Sequence, residues 1–300
     1  MSGSDATQFA PFEKLAVVGL GLLGGSVAAA AKERGLAREV VGAARRSAPL
    51  ERALAAGIVD SVAPPADAVI DADFVILGTP VGSMPKVVSE IGLGLGTGCL
   101  VTDVGSVKGF VVEMLPGLLP AGVEFVGSHP MAGSHLRGPE HADSDLFVGA
   151  TCVVTPRVGQ DATAIERVEC FWRDVGARVE RRSPVIHDEQ VAWVSHLPHL
   201  VAFAFAESLS AAPTQVGLLA GGGFRDFTRI AQSDAELWGE IFSLNSKALS
   251  GPLNHFSQSL AKLARALEQG DSESLEQLLN QARGRLAEVA ERVACKSDEG

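Results

Sequence analysis

Lys14-Leu15-Ala16-Val17-Val18-Gly19-Leu20-Gly21-Leu22-Leu23-Gly24-Gly25-Ser26 is the stretch on which the fold turns. A short apolar run there meets a G-x-G-x-x-G pattern at Gly19, Gly21 and Gly24, which opens onto the Ala-rich segment 25–34, closed by Gly35. Between a strand and a helix, glycines at this spacing have separate tasks. The first permits a tight turn, the second lets backbone approach a pyrophosphate, and the third lets helix pack on strand. The first N–H groups of such a helix have no intrahelical partner, so they suit phosphate oxygens. Gly19, Leu20, Gly21, Leu22, Leu23 and Gly24 are therefore the expected dinucleotide contacts.

The alternation continues outward to about Ser183. LAVVGL, EVVGAA, FVILGTP, CLVTDVG, EFVGSHP, TCVVTP and ARVERR read as strands, with helical patterns between several of them. Such alternation predicts a mostly parallel sheet covered on both faces. Pro49 opens a helix that Gly57 ends, and 131–146 is the one long break. From Pro184 the strand-like runs vanish, and helical periodicity occupies 184–210, 224–231, 234–249, 253–269 and 272–294. The expected architecture is α/β: a Rossmann-type domain with a mostly parallel sheet over 1–183, then an all-helical domain over 184–300. Ser233 with Glu236 reads as a capping box, and Gly270-Asp271 as a junction between helices. In the last helix Leu275, Leu278, Leu279, Leu286, Val289 and Val293 form one stripe, which packs within its own domain or makes a dimer interface.

Three hundred residues, 46% hydrophobic and 20% charged, suffice for two cores at roughly 100–200 residues per domain. A formal charge of -11 and the lack of any Lys/Arg-rich run argue against nucleic acid and anionic membrane as partners and favour a small molecule. Residues 1–16 lack a basic start and a continuous apolar stretch, and no segment reaches the roughly 18 apolar residues of a membrane span, so a cytoplasmic location is expected. Cys99, Cys152, Cys170 and Cys295 are dispersed without a C-x-x-C pair, which predicts neither disulfides nor a metal site.

An acid at the end of the second strand, about 20 residues after the glycines, would accept hydrogen bonds from a ribose 2'-hydroxyl. Ala44-Arg45-Arg46-Ser47 stands there instead. Two guanidiniums can pair a 2'-phosphate, which favours NADP over NAD; as solvated surface charges they would favour neither. Thr79-Pro80, just after the third predicted strand, is expected to line the nicotinamide half of the cleft. Oxidation at a carbon bearing a hydroxyl needs a base about 2.6–3.2 Å from the hydroxyl, and His titrates nearest neutral pH. His129 ends a predicted strand beside the cleft and fits that role. Arg225 and Arg229, four apart, share a helix face, and the planar Arg fork suits a carboxylate. His187, His141 and His255 read as surface or loop residues.

Four segments carry more polar groups than a fold alone requires: Thr102-Asp103-Val104-Gly105-Ser106-Val107-Lys108-Gly109, Gly127-Ser128-His129-Pro130-Met131-Ala132-Gly133-Ser134, Ser195-His196-Leu197-Pro198-His199 and Gly221-Gly222-Gly223-Phe224-Arg225-Asp226-Phe227-Thr228-Arg229-Ile230-Ala231. With the glycine pattern, they resemble in order and spacing the signature segments of prephenate and arogenate dehydrogenases, over about residues 14–290. The resemblance implies a NAD(P)-dependent oxidoreductase that oxidatively decarboxylates a cyclohexadienyl acid on the route to tyrosine, and a homodimer through the helical domain. It makes His129 the catalytic base and Ser106 the group that orients the ring hydroxyl. Asp103 is either a support for that loop or a plain strand-end carboxylate. Arg229 matches the Arg that binds the ring carboxylate, and Arg225 a supporting position that is often basic. His196 and His199 match positions near the substrate side chain and nicotinamide, and Ser195 is grouped with them.

After His-Pro-x-Ala-Gly-x many members carry Glu, whereas this chain has His135, so no carboxylate role carries over there. Two rival readings are a dehydrogenase of 3-hydroxy acids, which would lean on a Lys of the second domain, and a non-catalytic dinucleotide-sensing protein. Prephenate is favoured over arogenate on family prevalence alone.

Overall fold

The first strand, β1 (Phe12–Val18), leads through the glycine turn into α1 (Leu22–Glu33), and β2 (Ala37–Ala43), α2 (Ser47–Ala55), β3 (Ser61–Ala63) and α3 (Pro65–Ala68) follow. Next come β4 (Phe74–Leu77), α4 (Met84–Ile91), β5 (Leu100–Asp103), α5 (Lys108–Met114), β6 (Glu124–Pro130), β7 (Thr151–Thr155), α6 (Ala162–Asp174) and β8 (Arg178–Arg181). This computed structural model describes residues 10–133, 136 and 138–297, with side chains as far as residue 291. Ser134, His135 and the side chains of Val293 and Cys295 lie outside the described residues.

The strands form one sheet in the order β3-β2-β1-β4-β5-β6-β7-β8. All neighbours are parallel except β6 and β7. Successive side chains of a strand point to opposite faces, and β1 divides accordingly. Leu15 and Val17 join a core with Phe74, Phe171 and Trp172, while Ala16 and Val18 join one with Val75, Leu77, Met84 and Ile91. In the first layer Phe12 stacks on Phe74 at 4.4 Å and Phe171 meets Phe74 edge-on at 5.0 Å. Burial on both faces is why the central strands are continuously apolar rather than alternating.

In the sheet half, α1 and β3 differ from the sequence reading. α1 begins at Leu22, before the Ala-rich segment, because Gly21 is its N-cap and Gly24 and Gly25 lie in its first turns. β3 was not among the predicted strands, since three residues at a sheet edge are too few to establish a period.

The helical half starts with α7 (Pro184–Val191), capped by the Ser183 hydroxyl. A π-helical turn over Ala192–His196 follows, then α8 (Leu197–Ser208), α9 (Gly222–Thr228) and α10 (Ala235–Leu244). Pro198 has no N–H to close an ordinary helical bond, and the chain widens just before it. The α10 cap corrects the Ser233 expectation: Asp234 Oδ1 accepts from the N–H groups of Glu236 at 2.8 Å and Leu237 at 3.2 Å. The predicted break near 249–253 is corrected too. α11 (Ser246–Glu268) runs through Pro252, whose fixed φ is already helical, and the break falls at Asn245.

By compactness the chain divides into Met1–Ser246 and Lys247–Gly300, whereas strands give way to helices at 183/184. The second unit is a hairpin of α11 and α12 (Ser272–Ser297). Gly270 turns it with φ 65°, and Asp271 Oδ1 accepts the Ser274 N–H at 3.0 Å. Its Leu260, Leu267, Leu279, Leu286 and Val289 are exposed. Among the described residues no helix is long and apolar enough to cross a membrane, and no group of three or more His, Cys, Asp or Glu could hold a metal ion.

Candidate active site

Because β1, β4, β5 and β6 run parallel, their carboxyl ends share one edge of the sheet. The glycine turn, Thr79-Pro80, the loop from Asp103 to Ser106, and His129 all lie on that edge. Gly19 adopts φ 106°, and a Cβ on it would sit 2.6 Å from the Gly78 carbonyl carbon. A Cβ on Gly24 would sit 1.9 Å from the Gly19 oxygen, yet one on Gly21 would have nothing within 4 Å. The turn is thus closed toward the protein and open in front of α1. Beside it the Thr79 hydroxyl is buried without a hydrogen-bond partner among the described residues. An open glycine at a helix start and an orphaned buried hydroxyl fit the phosphates and polar ring substituents of a nicotinamide dinucleotide. Arg45, Arg46 and Ser47 are exposed just past β2.

Asp103, fully buried at the end of β5, accepts from the N–H groups of Gly105 at 2.8 Å and Ser128 at 3.1 Å, and from the Lys108 ammonium. Lys108 is equally buried and also donates to the Ser128 carbonyl at 2.8 Å. Burial pulls the Lys108 pKa down, and the Asp103 carboxylate opposes that. Asp103 therefore ties β5, β6 and the α5 loop together. Ser106 sits partly exposed on this loop, and among the described residues no hydrogen bond links it to His129.

His187 corrects the expectation of a surface residue: it is 1% exposed. Its Nε2 lies 2.8 Å from His129 Nδ1, and its Nδ1 lies 2.8 Å from Asp188 Oδ1. Asp188 in turn accepts the N–H groups of Lys108 (Oδ1, 2.8 Å) and Gly109 (Oδ2, 2.8 Å). The sequence held a signal for this burial, since His187, Asp188, Val191 and Ala192 are spaced as one inward helical stripe. Asn245 Nδ2 donates to the Asp188 carbonyl at 2.9 Å and to His196 Nδ1 at 3.0 Å. His196 is fully buried, and its Nε2 has no partner among the described residues. His199 Nδ1 donates to the Ser195 carbonyl at 2.8 Å while its ring stacks on Trp238, centroids 3.6 Å apart. Arg225 and Arg229 are both exposed, and Arg229 is close enough for its charge to help burial lower the His199 pKa. Lys108, His187, Asp188, Trp238 and Asn245 are thus parts of the site whose roles no motif in the sequence marks.

Burial, reinforced by His187, Lys108 and His196, holds His129 well below the ordinary histidine value of 6.5. Burial also lowers His187, against the pull of Asp188, and brings His196 to about 4. Below 6.5 the unfolded chain therefore takes up protons that the folded protein refuses. Stability is full above pH 6.5 and falls as pH drops toward about 4, with a limiting slope of about 1.4 kcal/mol per pH unit for each such histidine. Urea midpoints measured across that window check this, and a flat midpoint would contradict it. The same shift favours the uncharged imidazole of His129, the form whose lone pair can accept a proton.

A fold that opens a glycine turn toward a pyrophosphate and holds a neutral imidazole on the same sheet edge is that of a nicotinamide-dependent dehydrogenase. A family model described as prephenate dehydrogenase, nucleotide-binding domain, matches residues 27–181, and one described as prephenate dehydrogenase, dimerization domain, matches 183–281. The chain therefore belongs to the prephenate dehydrogenase family of oxidoreductases. It is 34% identical to the cyclohexadienyl dehydrogenase of Zymomonas mobilis over 88% of this chain and 92% of that protein. To the prephenate dehydrogenase of Bacillus subtilis it is 33% identical, over 88% of this chain and 72% of that one. The crystal structure of Aquifex aeolicus prephenate dehydrogenase with hydroxyphenyl propionate and NAD+ superposes with a TM-score of 0.86 at 33% identity, covering 93% of this chain and 99% of that one.

Proposed function

We propose that this enzyme converts prephenate to 4-hydroxyphenylpyruvate by oxidative decarboxylation, with NADP preferred to NAD. His129 Nε2 takes the ring hydroxyl proton as the carbonyl forms, and Ser106 orients that hydroxyl. Arg229 holds the ring carboxylate, which leaves as carbon dioxide, and Arg225 supports it. Ser195, His196 and His199 line the side-chain and nicotinamide end. The dinucleotide supplies the hydride acceptor, its pyrophosphate held by Gly19 to Gly24 and its nicotinamide half by Thr79 and Pro80. Arg45, Arg46 and Ser47 meet a 2'-phosphate. Loss of carbon dioxide makes the ring aromatic, so the reaction runs one way. Residues 1–183 form the dinucleotide half and 184–300 the substrate-binding and dimerising half, in a cytoplasmic homodimer.

The observation that carries this reading is the buried imidazole of His129 on the same sheet edge as the glycine turn. Steady-state assay of prephenate and arogenate, each with NAD and NADP, tests it. The highest kcat/KM is expected for prephenate with NADP; a clear preference for NAD removes the Arg45 and Arg46 role, and a preference for arogenate replaces the substrate. In the same assay, replacing both arginines by Ala should raise KM for NADP and leave KM for NAD unchanged.

Arg229→Ala removes charge-assisted hydrogen bonds worth about 1.5–3 kcal/mol. The expected effect is a rise of about 10- to 100-fold in KM for the cyclohexadienyl substrate, with KM for the dinucleotide unchanged. An unaltered substrate KM would remove Arg229 from the carboxylate site.

A further inference from the structure

We propose that His187 and Asp188 are positioning residues that fix the tautomer of His129, leaving its Nε2 as the bare, proton-accepting nitrogen. The proposal deepens the functional reading above and rests on it for the identity of the proton donor. The geometry is a line of three groups joined by 2.8 Å contacts: His129 Nδ1 to His187 Nε2, and His187 Nδ1 to Asp188 Oδ1.

The direction of each bond follows from what each group can do. A carboxylate only accepts, and Asp188 already accepts two backbone N–H groups, from Lys108 and Gly109, which anchor it at the start of α5. Its contact with His187 must therefore be Nδ1–H donating to Oδ1. A neutral imidazole carries one proton, so His187 Nε2 has a lone pair and accepts from His129 Nδ1–H. His129 then has its own lone pair on Nε2. The opposite tautomer would put two N–H groups, or two lone pairs, against each other somewhere along this buried line, at the cost of an unmade hydrogen bond.

The arrangement also bears on the charged state. When His129 Nε2 binds the substrate proton, the ring becomes an imidazolium whose Nδ1–H still donates to His187. The proton stays on His129, and the Asp188 carboxylate, one ring away, offsets the new charge. Of the other charged and titratable groups near the two rings, Lys108 and His196 oppose that charge while Asp103 favours it at His187. The Asp188–His187 pair is thus a counterweight to a cationic neighbour in a buried site. The line is assembled from distant pieces of sequence, β6 and α7, with Asn245 Nδ2 bracing the Asp188 carbonyl.

Nitrogen-15 NMR of the histidine rings, in a protein with only seven histidines, reads the tautomer directly because protonated and bare ring nitrogens resonate far apart. At mildly alkaline pH, His129 and His187 are both expected as Nδ1–H tautomers, assigned by loss of each set in His129→Asn and His187→Gln. An Nε2–H tautomer at His129 would overturn the proposal. Kinetics supply the second arm. His187→Leu removes the acceptor and should lower kcat by about 10²-fold, within the contribution of a positioned base, while His187→Gln, whose amide oxygen can accept the same N–H, should stay within about 10-fold of wild type. In both variants KM for the substrate should be little changed. Equal losses in the Leu and Gln variants, or a folded Leu variant with normal turnover, would overturn it. Should the wild type turn over neither prephenate nor arogenate, the functional reading fails, whereas the NMR result still decides the tautomer.

Discussion

His129→Asn is expected to fold normally, bind dinucleotide and substrate with little change, and lose about 10²–10⁴-fold in kcat. That range corresponds to roughly 2.7–5.4 kcal/mol of transition-state stabilisation at 1.36 kcal/mol per tenfold. His129 is the penultimate residue of β6, is 8% exposed, and has one nitrogen engaged by His187. A ring so held cannot wander, so a substrate hydroxyl brought to its other nitrogen meets a base already oriented. Asn can keep a polar contact with His187 but cannot accept the proton, and it creates little cavity. The loss should therefore fall on kcat rather than on KM or stability. Kinetics, with circular dichroism and urea unfolding as controls, check it; near-normal turnover would assign the base elsewhere.

Lys108→Met should destabilise the dinucleotide-binding half by about 3–5 kcal/mol. Lys108 and Asp103 are both fully buried and paired, and the ammonium also serves the Ser128 carbonyl. Methionine matches the length of the stem but leaves the Asp103 carboxylate with only its two N–H partners, Gly105 and Ser128. A charge without its partner in a dry interior is the costly outcome, more so than replacement of the whole pair. Adding Asp103→Asn to Lys108→Met should therefore recover part of the loss. Urea unfolding of the two single variants and the double variant measures the coupling. A Lys108→Met protein as stable as wild type would show that the pair contributes nothing to the fold.

The residues differ in how far their surroundings could be read from the chain. The strand, glycine turn and helix from Lys14 onward are local, so pattern alone located them and their edge of the sheet. β3 escaped because three residues carry no period. The α10 cap slipped by one residue, from Ser233 to Asp234, since neighbouring small polar residues compete for the same N–H groups. The candidate base His129 was legible as a polar residue ending an apolar strand. Its support was not. His187 and Asp188 lie 58 or more residues further on in the chain, and nothing local says that the first helix after the sheet folds back onto the end of β6. Lys108 and Asp103 stood in a segment already singled out, yet their burial depends on β6 closing over them. Asn245 and Trp238 meet His196 and His199 through contacts of similar range. Local pattern therefore supplied the cofactor turn and the candidate base, and tertiary packing supplied what holds the base in place.

If, as proposed, the His129 imidazole removes the ring hydroxyl proton while the ring carboxylate is lost, reduction and decarboxylation must proceed together and must depend on that ring. Following reduced dinucleotide and carbon dioxide together, from prephenate, with wild type and His129→Asn at mildly alkaline pH tests this. One reduced dinucleotide per carbon dioxide is expected for the wild type, and a rate below about one hundredth of that for the variant. Reduction without decarboxylation, or a variant within a few-fold of wild type, would contradict it.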